Sequence, residues 1–275
     1  MEKYITCEGQ LTKPEGIQLY FKKDLPQDQR AIFIFVHGLC EHLGRYDDLT
    51  KTFNELGYGV YRFDNRGHGK SGGERGYVED FMHFIEDTDI IVDMVQKENP
   101  DTPIFMLGHS MGGYIAAAYG IQYPDKLKGQ VFSGPATILL PIFEDLKQTD
   151  FDAEPHKKVP NSLSSVICRD PEVVRAYEQD PLVLKETNQK LLGEVFVKGP
   201  KWLEENIKKY IYPCLILHGD DDRIVIPEAS QWLYKSISSK DKSLKLYKAF
   251  FHEILNEKEK DRVVSDIHKW VEERL

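Results

Sequence analysis

The sequence predicts an α/β fold, in which helices cover both faces of a mainly parallel sheet and a helical cap is inserted into the chain. Two observations lead to this prediction: short apolar runs alternate with helical patterns, and the alternation stops over residues 136–210. A length of 275 residues suits one main α/β domain, and 41% hydrophobic with 29% charged residues is typical of a globular protein.

The strands are predicted from short apolar runs. Residues 31–36 form a nearly uninterrupted apolar run, as expected for a strand that is buried on both faces of a parallel sheet. We therefore expect this strand to be central. The other strands are predicted at residues 16–25, 59–63, 104–107, 127–132, 214–217 and 244–247.

The helices are predicted where apolar residues recur with helical spacing, at residues 49–56, 84–96, 111–119, 228–237 and 262–272. Residues 136–210 are too many for a loop in a compact domain. This stretch begins with the apolar run 138–143 and has a helical pattern at 171–178. We therefore predict a core formed by residues 1–135 and 211–275, and an inserted cap, or lid, formed by residues 136–210.

Charge limits the partners. Acidic residues outnumber Lys and Arg by 45 to 36, which gives a formal charge of −9. Because no Lys/Arg cluster could follow a phosphate backbone, we do not expect nucleic acid as a partner. The charge also disfavours strong binding to an anionic membrane, but it leaves open a transient contact between an apolar cap and lipid. Oligomeric state is not predicted.

Location is predicted from the apolar segments. Residues 1–8 lack the apolar core of a secretory signal, and no segment approaches about 20 consecutive apolar residues. These features predict a cytoplasmic protein, peripheral to a membrane if the cap contacts lipid. The four cysteines form no C-x-x-C pair, so we expect reduced thiols rather than a zinc or redox site.

The motif GHSMG at residues 108–112 indicates a nucleophilic serine. It matches G-x-S-x-G, follows a predicted strand and opens a predicted helix. A strand that enters a helix through so tight a turn needs small residues around it, and it exposes the hydroxyl of Ser110 above the sheet edge. The alternative is that Ser110 only caps the helix.

A serine hydroxyl needs a base to take its proton, and histidine suits that task near neutral pH. The chain order Ser, acid, His leaves His252 and His268 as candidates. His252 follows the last predicted strand, at the carboxyl edge where ligands of open α/β sheets bind. His268 lies inside the predicted terminal helix, so we favour His252 as the general base.

A carboxylate must hold the histidine in the required tautomer. Asp220, Asp221 and Asp222 all follow the predicted strand at 214–217. Their positions do not distinguish them, and any of the three could be a turn residue bonded to its own backbone. The residues alone leave the choice of acid open.

Four motifs make the chain resemble a known family. They are HGLCEH at 37–42 with GRY at 44–46, DNRGHGKS at 64–71, GHSMGG at 108–113 and HGDDDR at 218–223. The chain resembles the monoacylglycerol lipase and lysophospholipase branch of the α/β-hydrolases over nearly its whole length, including DPE at 170–172 and DPLV at 180–183. The resemblance implies an α/β-hydrolase fold and a serine hydrolase that cleaves monoacylglycerols or lysophospholipids through an acyl-enzyme. It implies no cofactor and no metal.

The resemblance also assigns individual residues. Asp222, directly before an arginine, takes the position of the catalytic acid. The backbone N–H groups of Leu39 and Met111 take the positions of the oxyanion hole. Glu41 and Arg45 match the polar end of the pocket, where they would bind glycerol hydroxyls, unless they only pair with each other on a loop.

Cys40 departs from the pattern of the branch, which usually has a small residue at this position. We hypothesise that Cys40 lies close enough to the site for a bulky thiol reagent to block activity. Unchanged inhibition in Cys40→Ser would contradict this hypothesis.

Residues 67–72, GHGKSG, match G-x-G-x-x-G but do not predict a nucleotide site. A phosphate-binding P-loop needs glycine where Asp64 stands, and a dinucleotide site should open a helix directly after its strand. Here GERG at 73–76 prolongs the loop. We therefore do not expect nucleotide binding.

Two other functions stay open at this point. A general or feruloyl-type carboxylesterase would use the same residues on other esters, because one fold hosts many reactions. A ligand-binding pseudo-hydrolase would keep the pocket without turnover, although such proteins usually lose a triad member. Covalent labelling of Ser110 by a fluorophosphonate distinguishes an enzyme from a binding protein.

Overall fold

The computed structural model describes residues 4–275; Met1, Glu2 and Lys3, which begin the segment tested for a secretory signal, lie outside the described residues. The strands are β1 (Tyr4–Thr12), β2 (Gln18–Pro26), β3 (Ala31–Val36), β4 (Tyr58–Phe63), β5 (Ile104–His109), β6 (Gly129–Ser133), β7 (Lys158–Pro160), β8 (Glu186–Asn188), β9 (Cys214–Gly219) and β10 (Lys242–Tyr247). The α-helices are α1 (Asp47–Glu55), α2 (Met82–Glu98), α3 (Met111–Gln122), α4 (Pro171–Gln179), α5 (Gln189–Gly193), α6 (Gly199–Asn206), α7 (Glu228–Ser236) and α8 (Lys260–Glu272).

Eight of the described strands form one sheet in the order β1-β2-β4-β3-β5-β6-β9-β10. The strands from β4 to β10 in this order pair in parallel, whereas β1 and β2 add an antiparallel edge. The predicted mainly parallel sheet is confirmed. Because parallel strands end at the same edge of a sheet, the loops that follow β3, β5, β9 and β10 meet there.

Alternate residues of β3 divide the core into two layers. Ile32 and Ile34 pack with α2, α3 and α7 on one face of the sheet. Phe33 and Phe35 pack with α1 and α8 on the other face. All four side chains are at most 1% exposed, which accounts for the uninterrupted apolar run in the sequence.

The predicted helices are confirmed, and their ends differ from the predicted ends by three residues or fewer. The sequence does not predict β1. Its side chains are mostly exposed, so no apolar alternation marks it, and its backbone hydrogen bonds come from pairing with β2 along its whole length. Such an edge strand is specified by its neighbour rather than by its own pattern.

Residues 136–210 lie between β6 and β9, and they are not purely helical. They contain α4, α5 and α6, and also β7 and β8, which pair antiparallel. The helical prediction is therefore incomplete, because three-residue strands are too short to show alternation. Backbone hydrogen bonds tie this segment to the core, from Leu184 N to Cys40 O at 2.9 Å and from Glu253 N to Ile167 O at 2.8 Å. The boundaries of the cap stay a prediction.

Residues 4–275 lack two features that would indicate a membrane or metal partner. No helix in this range has both the length and the apolar content needed to cross a bilayer. The same range holds no group of three or more His, Cys, Asp or Glu side chains that could bind a metal ion. The four cysteines are free thiols, of which Cys7 is exposed and the others are buried.

Candidate active site

Ser110 lies at the turn between β5 and α3. Its backbone has φ 54° and ψ −119°, a conformation that is strained for a residue with a side chain. A Cβ atom on Gly112 would overlap the carbonyl oxygen of Val36, and one on Gly108 would overlap the backbone of Gly112. The glycines of G-x-S-x-G therefore let α3 approach β3 closely while the serine occupies the tight turn.

The backbone of Ser110 is fixed by hydrogen bonds on both sides. Ser110 N donates to Ser133 O at 3.0 Å, and Ser110 O accepts from Gly113 N at 2.9 Å and from Ala136 N at 3.1 Å. The side chain of Ser110 makes no capping hydrogen bond to α3. The alternative that Ser110 caps the helix is therefore wrong, and its hydroxyl is available for other contacts.

His252 and Asp222 form a buried pair on the loops after β10 and β9. His252 Nδ1 lies 2.7 Å from Asp222 Oδ2, and both side chains are at most 5% exposed. Asp222 Oδ1 accepts hydrogen bonds from the N–H groups of Ile224 at 2.9 Å and Val225 at 3.0 Å. The carboxylate requires a proton on His252 Nδ1, which leaves a lone pair on Nε2, the atom that a general base uses.

His218, at the end of β9, contacts the same carboxylate. Its Nε2 lies 3.1 Å from Asp222 Oδ2 and 2.7 Å from Val225 O, and its Nδ1 lies 2.6 Å from Ser230 Oγ. Because a carbonyl oxygen only accepts, Nε2 of His218 carries the proton. His218 therefore donates toward Asp222 and limits its rotation. The sequence did not predict this contact.

The pair shifts the pKa values of both members in opposite directions. Burial alone would lower the pKa of His252, but the charge and hydrogen bond of Asp222 outweigh burial and raise it above its ordinary value. Burial alone would raise the pKa of Asp222, but His252 and His218 hold it well below its usual range. Asp222 is therefore ionised at neutral pH, where it can stabilise a positive charge on His252.

The other acid and base candidates have different partners. Asp220 Oδ1 accepts from a backbone N–H of the loop after β10, at 2.5 Å. Asp221 pairs with Arg223 at 3.1 Å, and both side chains are exposed. His268 lies in α8, where its Nδ1 is 2.7 Å from Tyr58 OH. The turn hydrogen bonds that the sequence left open for all three aspartates are made by Asp222, through the oxygen that does not contact His252, and not by Asp220 or Asp221.

Backbone N–H groups at Leu39 and Met111 lie next to Ser110. A Cβ atom on Gly38 would lie 3.0 Å from Ser110 Cβ, so the loop after β3 runs directly against the serine. Met111 is the first residue of α3, where N–H groups lack an intrahelical acceptor and the helix dipole favours negative charge. Within residues 4–275, neither Leu39 N nor Met111 N has a backbone acceptor. Both remain available to an oxygen atom beside Ser110.

Glu41 and Arg45 pair with each other at the pocket. Arg45 Nη1 donates to Glu41 Oε2 at 2.9 Å, and its guanidinium contacts Glu253 at 2.5 and 2.8 Å. Glu41 Oε1 also accepts from Gly38 N at 2.6 Å and from Tyr46 OH at 2.8 Å. The expected pairing is confirmed, and Glu253 is a third member that the sequence did not predict. The side chains of Glu41, Arg45 and Glu253 all line the cavity that contains Ser110.

His109 is a further member of the site that the sequence reasoning missed. Its ring centre lies 4.6 Å from that of His252, and its Nδ1 lies 3.0 Å from Ser133 O. Burial, with a smaller contribution from the charge of His252, lowers the pKa of His109 to about 4. His109 is therefore neutral near pH 7. Because His109 directly precedes Ser110 in the G-x-S-x-G motif, its sequence position could have indicated that it lies at the site.

Two adjoining cavities lie at this edge of the sheet. A small one of about 20 Å³ is lined by Ser110 and His252 together with the polar groups described above. A larger, mainly apolar one of about 400 Å³ shares Leu39, Leu163 and Ile224 with the small one. Much of the wall of the larger cavity comes from the cap, including Ile142, Phe143, Leu146, Val159, Val166 and Leu192. The serine pocket thus opens beside an apolar space beneath the cap.

Cys40 lines the larger cavity. It is 1% exposed and has a φ of 66°. Burial raises the pKa of the Cys40 thiol to about 12, so it stays protonated and reacts slowly near neutral pH. The location is close to the site, as the hypothesis requires, and the block of activity by a thiol reagent stays a prediction.

The GHGKSG loop is filled by a carboxylate of this chain. Asp64 Oδ1 accepts from Leu43 N and Asp64 Oδ2 accepts from Lys70 N, each at 2.7 Å. A Cβ atom on Gly69 would overlap the same carboxylate. Because the loop continues to α2 without opening a helix at the motif, it lacks the geometry of a phosphate-binding loop.

The chain is similar to known proteins over most of its length. Residues 27–259 match the family model described as serine aminopeptidase, S33. The chain is 33% identical over 265 residues to a monoacylglycerol lipase of Mycolicibacterium smegmatis, and the alignment covers 94% of this chain and 95% of that protein. These values concern nearly the full length of both chains.

Solved structures are similar over the same extent. The crystal structure of a Paleococcus ferrophilus monoacylglycerol lipase has a TM-score of 0.84 and 31% identity, with 94% of this chain and 99% of that chain covered. A soluble variant of a Saccharomyces cerevisiae monoglyceride lipase, solved with a substrate analogue, has a TM-score of 0.87 and 25% identity, with 97% and 94% covered.

Proposed function

The chain belongs to the serine aminopeptidase S33 family of α/β-hydrolases, in its monoacylglycerol lipase branch, and we propose that it cleaves monoacylglycerols or lysophospholipids at Ser110. As a member of this branch it is a carboxylic ester hydrolase. The observation that carries the proposal is the buried His252–Asp222 pair at the cavity that contains Ser110.

In the acylation step, His252 Nε2 takes the proton of the Ser110 hydroxyl while Ser110 Oγ attacks the ester carbonyl carbon. The carbonyl oxygen becomes negative, and the N–H groups of Leu39 and Met111 donate to it. Each such donor contributes on the order of 3 kcal/mol to the transition state. His252 then gives its proton to the leaving alcohol oxygen as the carbon–oxygen bond breaks, which leaves an acyl group on Ser110.

In the deacylation step, a water molecule repeats the attack. His252 takes one proton of the water, the hydroxide adds to the acyl carbon, and the oxyanion is held by the same two donors. The bond between the carbon and Ser110 Oγ then breaks, and Oγ recovers its proton from His252. Asp222 stays ionised throughout and stabilises the imidazolium in both steps. The two steps need no cofactor.

The linings of the two cavities differ in the same way as the two parts of such a substrate. The apolar cavity of about 400 Å³ offers room for an acyl chain beneath the cap. The polar groups around the serine, including Glu41, Arg45 and His109, offer hydrogen-bond partners to the alcohol part of the ester. A lipid ester with one chain and a small polar head is therefore the substrate class that this pair of cavities supports.

The location of the enzyme is part of the proposal. The sequence predicts a cytoplasmic protein and leaves open a transient contact between the cap and a membrane surface, and we propose that this contact gives access to substrate dissolved there. Ile142, at the cap end of the apolar cavity, is 47% exposed and supports such a contact. Binding of the wild type and Ile142→Asp to neutral lipid vesicles would test it, with weaker binding expected for the variant.

The experiment that tests the proposed function is hydrolysis of 1- and 2-monoacylglycerols, lysophospholipids and p-nitrophenyl esters of graded chain length. Wild type and Ser110→Ala are compared under the same conditions. Release of fatty acid from monoacylglycerols that is lost in Ser110→Ala is the expected result. Preference for short or aromatic esters would move the assignment to a general or feruloyl-type carboxylesterase, and inactivity on every ester would contradict it.

A further inference from the structure

We propose that Glu257, together with Arg169 of the cap, is a positioning residue that makes the placement of His252 depend on the closed cap. The inference rests on the proposed role of His252 as the general base. Glu257 does not line the cavity of Ser110, so its effect must act through the loop that carries His252.

The carboxylate of Glu257 joins the two parts of the molecule. Glu257 Oε1 accepts from Phe251 N, the residue before His252, at 3.0 Å. The other oxygen, Oε2, accepts from Arg169 Nε at 2.9 Å, and Oε1 is also 3.3 Å from Arg169 N. The side chain of Glu257 is 0% exposed. One buried carboxylate thus contacts both the cap and the backbone of residues 249–253, which we call the base loop.

The cap also holds the residue on the other side of His252. Glu253 N donates to the carbonyl oxygen of Ile167 at 2.8 Å. The guanidinium of Arg169 lies over the ring of Phe250, with 4.9 Å between the guanidinium carbon and the ring centre. Cap residues 167–169 therefore contact the base loop both before and after His252.

The loop needs this support because its own backbone is strained on the approach to His252. Ala249 has a φ of 63°, which residues with a side chain rarely adopt. Withdrawal of the cap would remove both contacts from Arg169 and leave the carboxylate of Glu257 with the N–H of Phe251 as its remaining partner. The loop would then relax and draw His252 away from Ser110. A displacement of about 1 Å in a reacting group can reduce the rate about 100-fold.

This coupling gives the cap a role in catalysis besides covering the acyl chain. When the cap is closed, the chain of contacts from Arg169 through Glu257 to Phe251 fixes the base. When the cap opens to admit substrate, the contacts to Ile167 and Arg169 break, and His252 loses its support. The enzyme would therefore attack an ester only after the cap has closed. While the cap is open and water can enter the site, Ser110 would not be activated by His252.

The variant Glu257→Gln tests the coupling, because it keeps the shape of the side chain but puts an amide where Arg169 needs an acceptor. We measure the rate and the final extent of Ser110 labelling by a small fluorophosphonate, using intact mass. Glu257→Gln should reach full labelling about 10- to 100-fold more slowly than wild type. The matched control is Glu259→Gln, which also loses a contact to Arg169 but is 49% exposed and touches no base-loop backbone. Its rate should stay within about twofold of wild type.

Arg169→Gln breaks the same link from the cap side and decides the question if Glu257→Gln does not fold. It should slow labelling in the same way, and the double variant should be no slower than the slower single variant, because the two residues act as one unit. With a short p-nitrophenyl ester, the loss should appear in kcat while KM changes little.

Two results would overturn the inference. One is labelling of Glu257→Gln at the wild-type rate. The other is a reduced extent of labelling with an unchanged rate per labelled site, which is the signature of a merely structural role. Wild type labelled at Ser110, with Ser110→Ala unlabelled, is required in the same experiment. If wild type is not labelled there, the proposed function fails, whereas an unaffected Glu257→Gln variant contradicts the coupling alone.

Discussion

The pocket around Ser110 and the cavity beneath the cap adjoin each other, but they are built differently. In the pocket, the charged groups are buried, and each has partners: both oxygens of Asp222 accept hydrogen bonds, and Arg45 contacts two carboxylates. In the cavity, the walls are mainly apolar side chains, and some of them, such as Ile142, reach the surface. In the pocket, removing one side chain leaves a buried polar partner without its hydrogen bond, which is costly. In the cavity, a substitution changes the volume that is available to an acyl chain, and so the preference among substrates of different chain length.

The largest expected effect lies in the pocket. Asp222→Asn should reduce kcat/KM by about 10⁴-fold for short and long esters alike, because the amide no longer fixes the tautomer of His252 or stabilises its charge. Steady-state kinetics on both substrates measure the loss. Asp221→Asn is the matched control, since its side chain pairs only with Arg223 at the surface, and it should stay within about twofold. An equal loss in the two variants would contradict the assignment of the acid.

A change in the cavity should affect one class of substrate. Leu146→Trp fills part of the space beneath the cap, so kcat/KM for a monoacylglycerol with a long chain should fall by about 10- to 100-fold. A short p-nitrophenyl ester should react at nearly the wild-type rate. Ile211→Trp, at a position that is 55% exposed, is the control and should change neither substrate. An equal fall for both esters would remove the distinction between the two regions.

The pH dependence of kcat/KM is set by groups in the pocket, so it should not depend on the length of the acyl chain of the ester. The base must be neutral, and the pKa of His252 is raised by Asp222 above its ordinary value, which is 6.5. As pH falls through this raised pKa, kcat/KM should drop by about tenfold per pH unit. Rates measured from pH 5 to 9 should place the acidic limb above pH 6.5 for both a short and a long ester. A limb below that value, or one that differs between the two esters, would contradict the account.

Cys40 provides the smallest expected effect. Its thiol lines the cavity and takes no part in the chemistry, so Cys40→Ser should keep basal activity within about twofold. A bulky maleimide should inhibit wild type slowly, because burial raises the pKa of the thiol to about 12. Protection in Cys40→Ser, with Cys7→Ser still sensitive, would place the blocked position at the cavity. Equal inhibition of wild type and Cys40→Ser would contradict this.

The parts of the site that the sequence predicts are the local ones. Ser110 lies inside the five-residue motif at 108–112, whose turn requires glycines, so the neighbouring residues determine its geometry. The oxyanion donors Leu39 and Met111 were implied by the family resemblance. The choice among three consecutive aspartates was different, because it depends on which side chain the turn directs inward. Asp220 accepts a hydrogen bond from a backbone N–H in the loop after β10, and Asp221 lies at the surface. The residues around Asp222 in the sequence predict neither contact.

Contacts between distant segments were beyond the sequence pattern. Arg169 and Glu257 are 88 residues apart, and no periodicity brings them together. The short strands β7 and β8 have three residues each, which is too few for alternation to appear. By contrast, the buried strand β3 was predicted correctly, because burial on both faces leaves a run of six apolar residues.

The most direct test of the central account is detection of the acyl-enzyme. Wild type is mixed with a saturating p-nitrophenyl ester, quenched in acid within the first turnover, and examined by intact mass and peptide mapping. The account predicts one acyl group per chain, attached to Ser110, and none in Ser110→Ala. Turnover without an adduct, or an adduct on any other residue, would contradict it.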